Sequence, residues 1–132
     1  MNDVKSEKLP RVAVLIATYN GETFLQEQLD SIARQVGVNW MLYASDDGST
    51  DRTKEIITQF AVNHPTHIVK WIDGPRKGFA KNFLSLVCNP DLKAQYFAYA
   101  DQDDIWLDDK LLRATKFLSQ IPSDMPALYC SR

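Results

Sequence analysis

The 132-residue sequence sets 15 basic against 17 acidic residues, for a net charge of −2, and 45% of it is hydrophobic. That length supports one domain around a single core and is short for two. With no basic block, the chain carries no electrostatic footprint for nucleic acid or an anionic membrane, so any phosphate it binds is held locally or through a metal.

The first ten residues are polar and end at Pro10. They are expected to be a flexible lead-in (1–10) to one domain over 11–132, with no apolar stretch that could act as a signal peptide. No segment approaches the roughly 20 apolar residues of a membrane span. Cys88 and Cys130 are too few and too far apart for a disulfide framework or a thiolate zinc site. A reducing, cytosolic compartment and inert thiols are the expectation.

Val12 to Ala17 is a continuous apolar run rich in β-branched residues, the pattern of a parallel strand buried on both faces. From Thr23 to Val36 the apolar positions Leu25, Leu29, Ile32 and Val36 recur at helical spacing, and Gly37 ends the segment. A second strand is expected over Trp40–Ala44. The helix after it, over Asp51–Val62, turns Ile56, Ile57 and Phe60 inward and closes at His64-Pro65. Ile68–Ile72 reads as a third strand, Asp73-Gly74-Pro75 as a turn, and Phe79–Val87 as a short helix. Tyr96–Ala100 is a fourth strand. Asp108–Gln120 is a helix facing a sheet with Leu111, Leu112, Ala114 and Leu118, and Ala127–Cys130 is expected to be a fifth strand. Unbroken β-α alternation implies an α/β fold with a mostly parallel, doubly wound sheet whose strands all present their C-terminal ends on one side, where ligands bind.

Three strand ends carry concentrated polar chemistry: Thr18-Tyr19-Asn20-Gly21, Asp46-Asp47-Gly48-Ser49-Thr50-Asp51, and Asp101-Gln102-Asp103-Asp104. Taken singly, each cluster is more often a helix cap or a turn than a ligand site, because Asp, Ser, Thr and Asn are the residues that caps and turns prefer. Their coincidence at one sheet edge favours a site. An acid pair spaced as Asp101 and Asp103 can reach one hard cation, and Mg²⁺ or Mn²⁺ accepts one or two carboxylates while leaving positions for water and substrate phosphates.

In their order and spacing, these three motifs resemble the family 2 glycosyltransferases of the GT-A fold, from about Val12 to the end of the chain. Gly78 to Phe83, together with Asp101-Gln102-Asp103-Asp104-Ile105-Trp106, resembles bacterial members that add rhamnose or related sugars to surface polysaccharides. The resemblance implies a nucleoside-diphosphate sugar donor, dTDP-rhamnose or a UDP-sugar, a saccharide or lipid-linked saccharide acceptor, Mn²⁺ or Mg²⁺ as cofactor, and transfer with inversion. It implies work in the cytoplasm or at the inner face of the cell membrane. Thr18 and Tyr19 are then expected to line the nucleoside pocket, Asp47 to accept from the ring NH of a pyrimidine, and Asp101 to approach the ribose or the metal's water shell. Asp103 takes the metal-ligand place of the DxD motif. Asp104 is either a supporting acid or a cap. Asp46 is a further nucleotide-binding candidate behind Asp47, because one of two adjacent strand-end acids must point away from the pocket. Arg76 and Lys77, after the third strand, can meet a base or diphosphate or stand as a solvated pair.

Lys81 and Asn82 match the family stretch but lie on a helix, and Phe79, Phe83 and Trp106 are expected to pack. His64 and His67 are expected to be loop residues rather than metal ligands. A general base for transfer is expected downstream of Arg132, which leaves a non-catalytic nucleotide-sugar-binding module as the second reading. A receiver-like signalling domain has the right size and class, but its acids belong after the first and third strands. A metal-dependent adhesion motif is approached by Asp47 to Asp51, with Asp51 in the place of its last serine.

Overall fold

The computed structural model describes residues 9–101 and 105–130. Four strands, β1 (Arg11–Thr18), β2 (Asn39–Asp46), β3 (Val69–Asp73) and β4 (Tyr96–Asp101), alternate with the helices α1 (Leu25–Ala33), α2 (Thr53–Asn63), α3 (Phe79–Val87) and α4 (Lys110–Leu118). The strands form one parallel sheet in the order β3-β2-β1-β4.

The central strand explains its own sequence. β1 is hydrogen-bonded on both edges and covered on both faces, and Val12 to Ala17 are at most 3% exposed. Every side chain from Val12 to Ala17 therefore has to be apolar, and each larger one contributes about 1.5–3 kcal/mol by its burial. Alternate residues serve opposite layers. Val12, Val14 and Ile16 pack with Leu25, Leu29 and Ile32 of α1, Ile57 and Phe60 of α2, and Leu111 of α4, whereas Ala13 and Leu15 join Met41 and Leu86 of α3 on the other face.

The helix layers follow from the path of the chain. It steps outward from β1 through β2 to β3, laying α1 and α2 on one face, then returns across the sheet to β4, laying α3 on the other. Right-handed crossovers in opposite directions must use opposite faces. The direction reverses between β1 and β4, which makes the C-terminal ends of those strands the topological switch point, where such sheets bind ligands. The order also removes the receiver-like alternative, in which the third strand lies beside the first.

Three expectations need correction. Ala127–Cys130 forms no strand; it is irregular chain that lines a cavity together with Tyr96 to Tyr99, with the Tyr129 ring 5.5 Å from that of Phe117. A short apolar run has the same appearance in a paired strand and in packed coil, so periodicity could not separate them. α1 ends at Ala33, before Val36, which is 50% exposed and donates its backbone N–H to Asp108 O rather than continuing the apolar stripe. Phe79 packs edge-on against Phe83 at 4.9 Å as expected, but it is 59% exposed and also lines a cleft.

His64 and His67 have a structural use. The His67 ring stacks on Trp40 at 3.7 Å with its Nδ1 at 2.8 Å from Trp40 O, while His64 lies edge-on to the same indole. Among the described residues, no three His, Cys, Asp or Glu side chains group as metal ligands, and no helix is long and apolar enough to cross a membrane. Cys88 and Cys130 are free and exposed.

Candidate functional site

At the switch point a cleft of about 630 Å³ opens among the ends of β1, β2 and β4 and the start of α3. Thr18 and Tyr19 line it from β1, Asp47 from β2, Asp101 from β4, and Arg76, Phe79 and Asn82 from the β3–α3 side. The parallel register brings this about, since Thr18 lies opposite Asp46 on one edge of β1 and Ala17 lies opposite Asp101 on the other.

The two adjacent acids at the end of β2 divide their roles. Asp46 is 4% exposed and turned into the protein. Its Oδ1 accepts from Thr18 Oγ1 at 2.8 Å and Ser49 Oγ at 2.5 Å, and its Oδ2 accepts from the N–H groups of Gly48 and Ser49. Four donors satisfy the buried carboxylate, so Asp46 organises the loop and does not line the cleft. Gly48 makes that turn possible at φ +98°, with the Arg76 guanidinium 3.5 Å from where a Cβ would stand.

Asp47 faces the cleft. It anchors the opposite wall, accepting from the N–H of Arg76 on Oδ1 and of Gly78 on Oδ2. A carboxylate has about four acceptor positions, so both oxygens keep capacity for a ligand N–H. Arg76 adopts φ +60°, an unusual backbone for a non-glycine residue, and this places a cation on the wall. Lys77 is exposed and is not part of the lining. Tyr19 stands 56% exposed at the rim. Asp103 and Asp104, with Gln102, lie outside the described residues.

Much of the remaining polar sequence laces two loops together. The N–H of Asn20 donates to Ser49 Oγ, that of Thr50 to Asn20 Oδ1, that of Gly21 to Thr53 Oγ1, that of Glu22 to Asp51 Oδ2, and that of Arg52 to Glu22 Oε1. Asp51 also receives the N–H and hydroxyl of Thr53 at the start of α2. Partial burial pulls the Asp51 carboxyl upward, but the hydrogen bonds from Thr53 and Glu22 outweigh it and hold the group below its ordinary value. With Ser49 and Asp51 so engaged, the adhesion-motif reading loses its ligands.

Sequence reasoning undervalued Asn82. It is 1% exposed, donates to Ser45 O at 2.8 Å and accepts from Ser45 Oγ at 2.6 Å, which ties α3 to the end of β2 beneath the cleft. The available signal was an amide four residues before Leu86, on the buried stripe of an apolar helix. Trp106, expected to pack, is 4% exposed and belongs to the core.

Residues 13–128 match the family model described as Glycosyl transferase family 2. The dTDP-rhamnosyl transferase RfbG of Shigella flexneri is 41% identical over 102 residues, 75% of this chain and 35% of that protein. The putative teichuronic acid biosynthesis glycosyltransferase TuaG of Bacillus subtilis is 27% identical over 84% of this chain and 43% of its own length. Among solved structures, the mannosyltransferase PcManGT from Pyrobaculum calidifontis in complex with GDP-Man and Mn²⁺ superposes with a TM-score of 0.75 at 27% identity, covering 83% of this chain and 32% of that one. The chain therefore spans about a third to two fifths of the length of these relatives.

Proposed function

The chain belongs to glycosyl transferase family 2, and from that premise we propose that its cleft is the donor side of a sugar-transfer site. The donor is a pyrimidine nucleoside-diphosphate sugar, dTDP-rhamnose or a UDP-sugar, and the whole protein passes the sugar with inversion to a saccharide acceptor of a surface polysaccharide, on the cytoplasmic side of the membrane. What carries this reading is the convergence of Thr18, Tyr19, Asp47 and Asp101 on one cleft at the switch point. The 41% identity to a dTDP-rhamnosyl transferase supports the choice of donor.

Each residue has a task that its surroundings permit. Thr18 and Tyr19 take the nucleoside side, with Tyr19 beside the base. Asp47 accepts from a pyrimidine ring NH with the capacity left after Arg76 and Gly78. Arg76 offers its guanidinium to base or diphosphate from the same wall. Lys77 adds only a nearby charge from outside the lining.

The acidic groups of the cleft, Asp47 and Asp101, are oxygen donors, and neither Cys nor His lines it, a chemistry that suits a hard divalent cation. Asp101, with Asp103 outside the described residues, would hold Mn²⁺ or Mg²⁺, whose charge offsets that of the diphosphate as it leaves. Inversion joins an acceptor oxygen to the anomeric carbon as the bond to the diphosphate oxygen breaks, and the acceptor's proton goes to a general base. No residue of this chain is assigned that last role.

Thermal denaturation against UDP, dTDP and GDP, with and without Mn²⁺, tests the proposal. A nucleotide at about 100 times its Kd adds roughly 2.7 kcal/mol and raises Tm by several degrees. The expected result is a shift with a pyrimidine diphosphate that depends on Mn²⁺. A folded sample with no such shift removes the donor-site reading.

A further inference from the structure

Phe79 opens α3 with its side chain 59% exposed, and it lines the cleft. Apolar side chains scattered over a surface need no explanation. An aromatic ring on the wall of a cleft is different, because clefts hold small molecules through apolar surfaces set among a few placed polar groups. Leu84 and Val87, further along the same helix, are also exposed, yet neither lines the cleft.

The ring is presented from a fixed base. Gly78, the residue before it, takes φ +101° and donates its N–H to Asp47 Oδ2 at 3.0 Å. Asn82 N donates to Gly78 O at 3.0 Å, and the Asn82 side chain is tied to Ser45 near the end of β2. The backbone on both sides of Phe79 is therefore attached to the strand end that carries Asp47. Phe83, one turn on, meets the Phe79 ring edge-on at 4.9 Å and packs edge-on against Tyr99 of β4 at 6.1 Å. A ring that is exposed yet held from behind loses little freedom when a ligand covers it.

Its place narrows the ligand. Phe79 is one residue beyond the N–H that Asp47 holds, so the ring and the carboxylate belong to neighbouring points of the cleft wall, while Tyr19, the other aromatic residue of the lining, comes from the end of β1. A diphosphate gains nothing from an aromatic face, whereas a flat base does, through stacking. We propose that Phe79 is a ligand-contact residue of the cleft: its ring stacks on the pyrimidine that Asp47 recognises, supplying affinity for the base while Asp47 supplies choice among bases. The proposal rests on the reading of the cleft as the donor side of a sugar-transfer site.

Because Phe79 is exposed, Phe79→Leu and Phe79→Tyr should both melt within about 2 °C of wild type. Isothermal titration of dTDP and UDP, each beside its 5,6-dihydro form, into the 132-residue chain with Mn²⁺ reads the contact. The dihydro ring keeps its N–H and carbonyls for Asp47 but is puckered and has no aromatic face. Wild type is expected to bind the aromatic form of its nucleotide more tightly than the dihydro form. Phe79→Leu should weaken the aromatic form by about tenfold, within the worth of base–aromatic stacking, and narrow its lead over the dihydro form. Phe79→Tyr, which keeps the ring, should retain both the affinity and the lead. Wild-type affinities in Phe79→Leu, an equal loss for the aromatic and dihydro forms, or a loss in Phe79→Tyr as large as in Phe79→Leu overturns the stacking role and leaves the donor-site reading standing. The lead is a ratio read on one protein at a time, so a variant that melts lower is judged by the same criterion. Absence of Mn²⁺-dependent binding of both dTDP and UDP in the wild type overturns both.

Discussion

Thr18 and Asp46 end adjoining strands, and the Thr18 hydroxyl donates to Asp46 Oδ1 across 2.8 Å inside the protein. This bond joins the two loops that form one wall of the cleft, and it helps decide which of two consecutive aspartates faces the cleft. Because Asp46 is saturated by Thr18, Gly48 and Ser49, its backbone is held at the angle that turns Asp47 outward.

Asp46→Asn is therefore expected to damage the fold more than the chemistry. The substitution replaces one acceptor oxygen with an NH₂ that faces existing donors. Hydrogen bonds to a charged group are worth about 1.5–3 kcal/mol each, and a buried mismatch costs a similar amount. A stability loss of about 2–3 kcal/mol should lower Tm by roughly 5–15 °C for a domain of this size. Unchanged Tm with abolished nucleotide binding would show that Asp46 acts on the ligand directly.

Asp47→Ala makes the complementary case. Its carboxylate is only partly buried and its bonds go to exposed loop backbone, so stability should fall by about 1 kcal/mol or less. Binding of UDP or dTDP should weaken by about tenfold, the worth of a hydrogen bond of about 1.4 kcal/mol, and the preference over GDP should narrow, while Mn²⁺ dependence persists. Asp103→Ala should give the opposite split and abolish the Mn²⁺ dependence. Titration calorimetry with each nucleotide, with and without Mn²⁺, reads both variants. Wild-type behaviour in both contradicts the residue assignments.

The contrast between these aspartates marks where the sequence was readable. Val12 to Ala17 announced a doubly covered strand because burial on both faces leaves only one composition. Phe79–Val87 matched its helix end to end because its apolar stripe and flanking Gly78 agree. Polar clusters are harder, because one residue type serves both as turn chemistry and as a ligand group. Asp46, Asp51 and Asn20 proved to be turn and lacing residues, whereas Asp47, Asp101 and Tyr19 line the cleft, and that difference arises from long-range register. Asn82 was undervalued for the same reason, since its partner Ser45 is remote in sequence.

Asp51 predicts an acid-side dependence. Its carboxyl lies below the ordinary value in the folded chain because the hydrogen bonds at the start of α2 favour the charged form over the pull of burial. A depressed folded value means the unfolded chain binds the proton more readily. The stabilising contribution is therefore complete above the unfolded aspartate pKa of about 3.9 and fades as pH falls through the lower folded value. Asp51→Asn should lower Tm at pH 7, and the gap from wild type should shrink toward pH 3. A gap that is constant with pH means that hydrogen-bond geometry, and not the charge of Asp51, holds the start of α2.

Gly74 and Asn82 should prove coupled. A Cβ at Gly74 would stand 2.5 Å from Asn82 Oδ1 and 2.9 Å from the backbone oxygen of Asp46, which itself accepts from Gly74 N. The first obstacle is a side chain that can be removed, whereas the second is backbone that must shift. Gly74→Ala is thus expected to cost about 1–3 kcal/mol, as overpacking does. Asn82→Ala alone should cost a similar amount, because it leaves the buried Ser45 hydroxyl and carbonyl without their partner. In the double variant the Asn82 clash is gone but the Asp46 contact remains. The combined loss should therefore fall short of the sum by at least about 0.5 kcal/mol, the threshold at which neighbouring sites are coupled. Urea denaturation of the four proteins closes the cycle. Strict additivity would mean that the loop moves away from α3 when Gly74 is replaced, and that the clamp beneath the cleft tolerates more displacement than its distances imply.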